Sequence, residues 1–240
     1  MSDAAPDPHT IFIGIDDTDI VGSPGTNQLA RAIVKDLAER ADLLRITRHQ
    51  LLDDPRVPYT SQNGSASILL SPRTEIGFDE VFGICRERMR VWYVVGSDPG
   101  LSVCDHVPDE VVAWGQRCKN ELVSKSEAFD LAQSLGIRIE GLGGTDGGVI
   151  GALAALGLAR EGDDGRIVMW QLWPDDLSGP TSIARVRERQ IDVVERDTGT
   201  PVLEGIVDVG KHLRPNLIAG RATLWVTGSL ETGWQALKLR

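Results

Sequence analysis

The chain has 240 residues, 41% of them hydrophobic, and a formal net charge of -10 at pH 7. That is enough for one large domain or a domain with a smaller appendage around a sizeable core. The acidic balance argues against nonspecific binding to a polyphosphate, because counterion release needs clustered Lys and Arg. The three cysteines, Cys85, Cys104 and Cys118, form no C-x-x-C pair, which argues against a disulfide framework or a structural zinc site.

The opening "MSDAAPDPHT" is polar and acidic, the opposite of a secretory signal. No apolar run approaches the roughly 18 to 20 residues that span a bilayer. A cytoplasmic protein without a membrane partner is expected. Thr10 to Ile15 is a β-branched apolar run, hence a first strand, and it ends in the carboxylates Asp16, Asp17 and Asp19. After a glycine-containing loop, "TNQLARAIVKDLAERA" places Leu29, Ala32, Ile33 and Leu37 on one helical face, with Thr26 as its expected N-cap.

"LLRITRHQ" and "GSASILLS" read as strands around the loop "LLDDPRVPYTSQN", and "FDEVFGICRERMR" as a helix. "VWYVVGSDPGLSV" reads as extended chain broken by a turn at Asp98 to Gly100. Two helices follow in "PDEVVAWGQRCKNEL" and "SKSEAFDLAQSLG", the second with a capping box from Ser124 to Glu127 and a stop at Gly136. "IRIEGL" is a strand, "GGTDGG" a glycine-rich turn, "VIGALAALGLA" a helix apolar on most sides, and "GDDG" a solvated turn. The alternation predicts an α/β to α+β core. A change of texture near Trp173 to Pro180 divides the chain into residues 1–175 and a smaller β-rich part, 176–240, with runs such as "IDVVERDTG", "GIVDVG" and "ATLWVTG". "RITRHQ" and "RVRERQ" are its basic runs and read as solvated faces.

Three carboxylates at a strand end repel one another unless they are solvated, cap backbone donors or share a cation. Magnesium suits a short acidic loop, since it takes one or two carboxylates and completes its shell with water and phosphate. An Asx-turn that caps the following helix explains the same residues, and both readings stay open. A third uses Asp17 and Asp19 as the D-x-D of a haloacid-dehalogenase phosphatase, nucleophile and acid/base. The loop holding Gly143, Gly144, Asp146, Gly147 and Gly148 exposes amides at a helix start, a phosphate-binding geometry; it is not a Walker A loop, for it lacks G-K-[ST]. Its other reading is a tight turn with close helix packing. In the middle loop Arg56, Tyr59, Thr60, Gln62 and Asn63 offer phosphate- and base-reading donors, and His49 reads as structural.

"GIDDTD" followed by "GTNQLA", "DPRVPYTSQNGSAS", "GSDPGL" and "GGTDGGVIGALAALG" resembles the kinase domain of archaeal tRNA-Ile agmatidine synthetases over residues 11 to 160. The remainder weakly resembles that family's ferredoxin-like domain. The resemblance implies a mixed-sheet kinase-like domain with a ferredoxin-like subdomain, the use of ATP and Mg2+, and attack by an amine on a phosphate-activated base. It makes Asp16, Asp17 and Asp19 metal and triphosphate ligands, Asp16, Asp17 and Thr26 catalytic, and Arg56, Asn63 and the Gly143 to Gly148 loop nucleotide-binding. Two features depart from the family. Asn27 stands where the family has a second threonine, one of the pair being autophosphorylated, and neither a zinc ribbon nor an oligonucleotide-binding domain is evident.

The expected function is therefore an ATP- and magnesium-dependent phosphoryl-transfer or ligase-type enzyme acting on a small molecule or nucleobase. Stable tRNA binding is not expected, and a homodimer is left open. A noncatalytic nucleotide sensor and the dehalogenase-like phosphatase are the competing readings.

Overall fold

The computed structural model describes residues 10–57, 63–73, 76–171, 173 and 175–238. Within them the chain forms β1 (Ile11–Asp16), α1 (Thr26–Leu37), β2 (Ala41–Gln50), β3 (Gly64–Pro72), α2 (Phe78–Trp92), β4 (Gly100–Cys104), α3 (Asp109–Asn120), α4 (Lys125–Ser134), β5 (Arg138–Gly141), α5 (Val149–Glu161) and β6 (Arg166–Trp170). The C-terminal part adds β7 (Pro180–Ser182), α6 (Ile183–Arg187), β8 (Asp192–Glu195), β9 (Ile206–Asp208), β10 (Asn216–Ile218), β11 (Arg221–Ser229) and β12 (Gly233–Ala236).

β1 is buried along its whole length because it is covered on both faces. Side chains alternate across a strand. Ile11, Ile13 and Ile15 thus join the apolar cluster under α1 and α2, while Phe12 joins the one under α3, α4 and α5. α5 is apolar all round for the same reason, wedged between α3 and the strands β1, β3 and β4. The fit is close. A Cβ on Gly100 of β4 would stand 2.1 Å from the carbonyl carbon of Gly148, at the start of α5.

The strands follow one path, β5-β4-β1-β3-β2-β6-β10-β11-β12-β9-β7, with β8 paired to β11. β1 is antiparallel to both of its neighbours, and the parallel pairs among the described residues are β8 with β11 and β9 with β12. The fold is mixed α/β with a mostly antiparallel sheet, not the parallel βα alternation that the order of elements suggested. The C-terminal part is β-rich, and its helix among the described residues is the five-residue α6, where a ferredoxin-like unit needs two crossover helices. β6 carries the sheet across from β2 to β10, yet the C-terminal strands have a separate apolar cluster around Ile183, Val193, Val207, Leu217 and Leu224.

The local signals hold where they are strongest. Ser124 and Glu127 form the capping box of α4, and Gly136 after it takes φ 68°. In α1 the buried positions are Leu29, Ala30, Ile33 and Leu37, so Ala30 replaces Ala32 on the inner face. The turn "GDDG" is not solvated, since Asp164 folds inward to bond the buried His49. In α2, Gly83 faces open space: nothing lies within 4 Å of an added Cβ. Gly83→Ala is expected to stabilise the protein by about 1 kcal/mol, the helix-interior difference between the two residues, read as a higher urea midpoint.

Candidate functional site

The antiparallel register of β1 and β4 sets Asp16 opposite Gly100, so the residues entering β4 meet the turn leaving β1. Asp98 is the join. Its N–H donates to the Asp17 carbonyl at 3.1 Å, and its own carbonyl accepts from the Gly148 N–H at 3.0 Å. Its carboxylate accepts from the Thr145 N–H at 2.9 Å and from Thr145 Oγ1 at 2.5 Å. The acidic turn and the glycine-rich loop are thus held against one another at the rim of a cavity of about 420 Å³.

Asp16 is 8% exposed, and its carboxylate lies against the first turn of α5, where a Cβ on Gly151 would stand 1.8 Å from Oδ2. Burial pushes its pKa up to about 7; the Asp17 N–H, at 2.8 Å from Oδ1, and the Arg48 charge pull the other way, while Asp17 and Asp19 add to the rise. Asp17, at φ 46°, is raised to about 6 by burial and then by the charges of Asp98 and Asp19. Both carboxylates therefore sit in negative potential with little solvent to relieve it.

Asp19 is committed elsewhere. Its Oδ1 accepts from the Thr26 N–H at 3.2 Å and from Thr26 Oγ1 at 2.9 Å, and Thr18 Oγ1 donates to Thr26 Oγ1 at 3.0 Å. Thr26 is consequently the first residue of α1, not its cap; Gly25 holds the N-cap position without a side-chain bond, and Asp19 satisfies the helix amide from seven residues upstream. Among the described residues no three His, Cys, Asp or Glu side chains converge to hold a metal ion, so the expected three-aspartate set is not assembled. Asp16 and Asp17 do fit a hard cation of the magnesium type, which asks for one or two carboxylates and would relieve the repulsion that raises both pKa values.

The other wall is apolar, with Leu51, Leu52, Val57, Leu122, Val123 and Ile150. Behind it, His49 is fully buried and bonded through Nδ1 to Asp164 Oδ2 at 2.7 Å and through Nε2 to Ser67 Oγ at 2.8 Å. Burial holds the His49 pKa below its usual value, so the neutral ring donates from Nδ1 and accepts at Nε2. Lys119 supplies the charge that Asp164 faces, and its Nζ also donates to the Gln50 carbonyl at 3.1 Å. His49 is structural.

Solved structures share this arrangement of elements. A complex of TiaS with an isoleucine tRNA and ATP matches 62% of this chain and 36% of its own at 22% identity and TM-score 0.56. Apo TiaS, the agmatidine synthetase for that tRNA, matches 62% and 35% at 22% identity and TM-score 0.52. Over that span the chain has the TiaS fold. A tRNA fluorescent labeling enzyme matches 62% and 36% at 23% identity and TM-score 0.55. The match thus spans about a third of the length of these solved chains. No family model and no curated protein matches the chain.

In this TiaS-like fold, Asp16, Asp17, Asp19, Thr26, Asn63, Gly147 and Gly148 all line the cavity. The structure does not bring Arg56, Gly143, Gly144 or Asp146 to it. Arg56 forks onto the Asp54 carboxylate at 2.8 Å and is exposed. Gly143 lies under the Tyr93 ring, Gly144 lies against Asp98, and Asp146, at φ 63°, packs on Gly141 of β5. Asn63 faces inward, but its Nδ2 is used by the Leu52 carbonyl at 2.8 Å. Tyr59, Thr60 and Gln62 lie outside the described residues. Sequence reasoning missed Asp98, whose only signal was its place in "GSDPGL" before a strand, and Arg48, hidden in an alternating strand that read as a solvated basic face.

Proposed function

We propose that this protein binds ATP with magnesium in the cavity beneath Asp16 and uses it in a phosphoryl-transfer or ligase-type reaction on a small molecule or nucleobase. The carrying observation is that the acidic turn and the start of α5 meet at one cavity, joined by Asp98. The fold supports the same reading, because one of its solved relatives is a TiaS complex with ATP and another a complex with AMPCPP and agmatine.

Phosphoryl transfer depends on positioning and charge neutralisation more than on covalent help from the protein. Asp16 and Asp17 would hold the magnesium, which supplies neutralisation of phosphate charge. The amides around Gly147 and Gly148, near the N-terminus of α5, face the same anion, and the apolar wall at Leu51, Leu52 and Ile150 suits a base or an acceptor and excludes water. Thr26 is engaged with Asp19 and Thr18, so its role is to fix the acidic turn. The same engagement removes Asp19 from the acid/base role that the phosphatase reading requires, and hydrolysis of p-nitrophenyl phosphate is not expected. The tRNA of the TiaS complexes is not carried over, since the matched part is 36% of those chains and this chain has a net charge of -10.

Calorimetry with ATP and magnesium, followed by product analysis over a panel of amines and nucleobases, tests the reading. ATP binding with release of ADP or AMP is the expected result. ATP binding without product across the panel would make the protein a nucleotide sensor, and no ATP binding at all would overturn the site.

A further inference from the structure

The described wall of the cavity carries five carboxylates, Asp16, Asp17, Asp19, Asp98 and Glu121, and one cation, Arg48. Arg48 leaves β2 across residue 64, where an added Cβ would stand 2.8 Å from Nη2 and 3.2 Å from Cζ. A glycine at this position keeps open the room that the guanidinium occupies. Its charge reaches Asp16, favouring the ionised carboxylate there.

Next to Gly64, Ser65 lines the same cavity, is fully buried, and its Oγ has no hydrogen-bond partner. The contrast with its neighbour on the same face of β3 is informative. Ser67 is equally buried, but its hydroxyl is matched by His49 Nε2 at 2.8 Å. An orphaned buried hydroxyl costs about 1–3 kcal/mol, and one at a cavity wall beside a guanidinium is placed for a ligand.

We propose that Arg48 and Ser65 form an oxyanion subsite of this cavity, which takes a phosphate oxygen of the bound nucleotide. The guanidinium offers a fork of N–H donors and Ser65 one O–H, the donor set that reads phosphate geometry. The subsite sets a positive group in a wall whose other charges would repel such a ligand. It rests on the nucleotide reading for the identity of the molecule that carries the phosphate, not for the anion chemistry.

The test is calorimetry of wild type, Arg48→Met, Arg48→Lys and Ser65→Ala with three probes: ATP plus magnesium, inorganic tripolyphosphate plus magnesium, and adenosine. Arg48→Met is expected to weaken ATP and tripolyphosphate at least tenfold, Arg48→Lys less, and Ser65→Ala roughly threefold to tenfold, as a charge-assisted and a neutral hydrogen bond respectively. Adenosine affinity should not move. Ser65→Ala removes one unmatched hydroxyl and should melt no lower than wild type, which keeps the test readable if Arg48→Met fails to fold. Wild-type ATP affinity in both Arg48→Met and Ser65→Ala would overturn the subsite and leave the nucleotide reading standing. Tripolyphosphate binding that depends on Arg48, in a protein that binds ATP no more tightly, would retain the subsite and overturn the nucleotide reading. Wild-type protein that binds neither overturns both.

Discussion

Asp16→Asn is expected to make the protein more heat-stable at pH 8 and to remove magnesium-dependent ATP binding in the same variant. The folded pKa of Asp16 is raised from 3.8 to about 7 by burial, so between those values the folded state holds a proton that the unfolded chain has lost. Stability therefore falls as pH rises through this window, and the full cost is present above pH 7. At 1.36 kcal/mol per unit, the penalty at pH 8 is on the order of 4 kcal/mol, whereas at pH 5 the folded carboxyl is neutral and less than about 2 kcal/mol remains. Asparagine keeps an acceptor for the Asp17 N–H and carries no charge. Calorimetric melting should show the variant several degrees above wild type at pH 8, with a smaller gap at pH 5. An equal gain at both pH values would mean that the charge is not the cause. Magnesium with ATP should raise the wild-type melting temperature and leave that of the variant where it was.

Gly100→Ala is expected to be the most damaging single-methyl change near the site. The new Cβ would stand 2.1 Å from the Gly148 carbonyl carbon, 2.2 Å from its oxygen and 2.3 Å from the Val149 nitrogen. All three are backbone atoms at the start of α5, so no side chain can rotate away. Either the helix recedes or β4 does. The expected cost is about 3 kcal/mol, the upper end of overpacking, read from urea unfolding. ATP affinity should fall with it, because a receding α5 takes Gly148 and Gly151 away from Asp16. A variant within about 0.5 kcal/mol of wild type, the ordinary range of surface substitutions, would show that the contact is looser than described.

The parts of the fold that a local pattern encodes were legible in the sequence. The apolar run before Asp16, the capping box at Ser124 and the all-apolar α5 each depend on residues a few positions apart. What local pattern does not encode is which strands pair and in what direction. The alternation of strands and helices suggested parallel units, yet β1 lies antiparallel between β3 and β4. The site inherits that limit. Asp16 and Asp17 announced themselves by crowding, whereas Asp98 enters through a register eighty residues away and Arg48 through a neighbouring strand. Asp146 and Arg56 looked equally suitable on paper. They were lost to short-range competitors, a left-handed turn against Gly141 and a carboxylate two residues before Arg56.

The bond network around Asp164 decides where this chain tolerates being cut. A helix end such as Glu161 is an inviting terminus for a minimal fragment, since the acidic turn, α3 and α5 all precede it. Asp164 lies three residues beyond. Without it, the imidazole of His49 loses its acceptor and the ammonium of Lys119 its counter-charge, both beside the inner wall formed by Leu51 and Cys118. A shortened form that keeps β6 retains the anchor; one that stops at α5 would leave a buried donor and a stranded cation next to the cavity it was made to preserve.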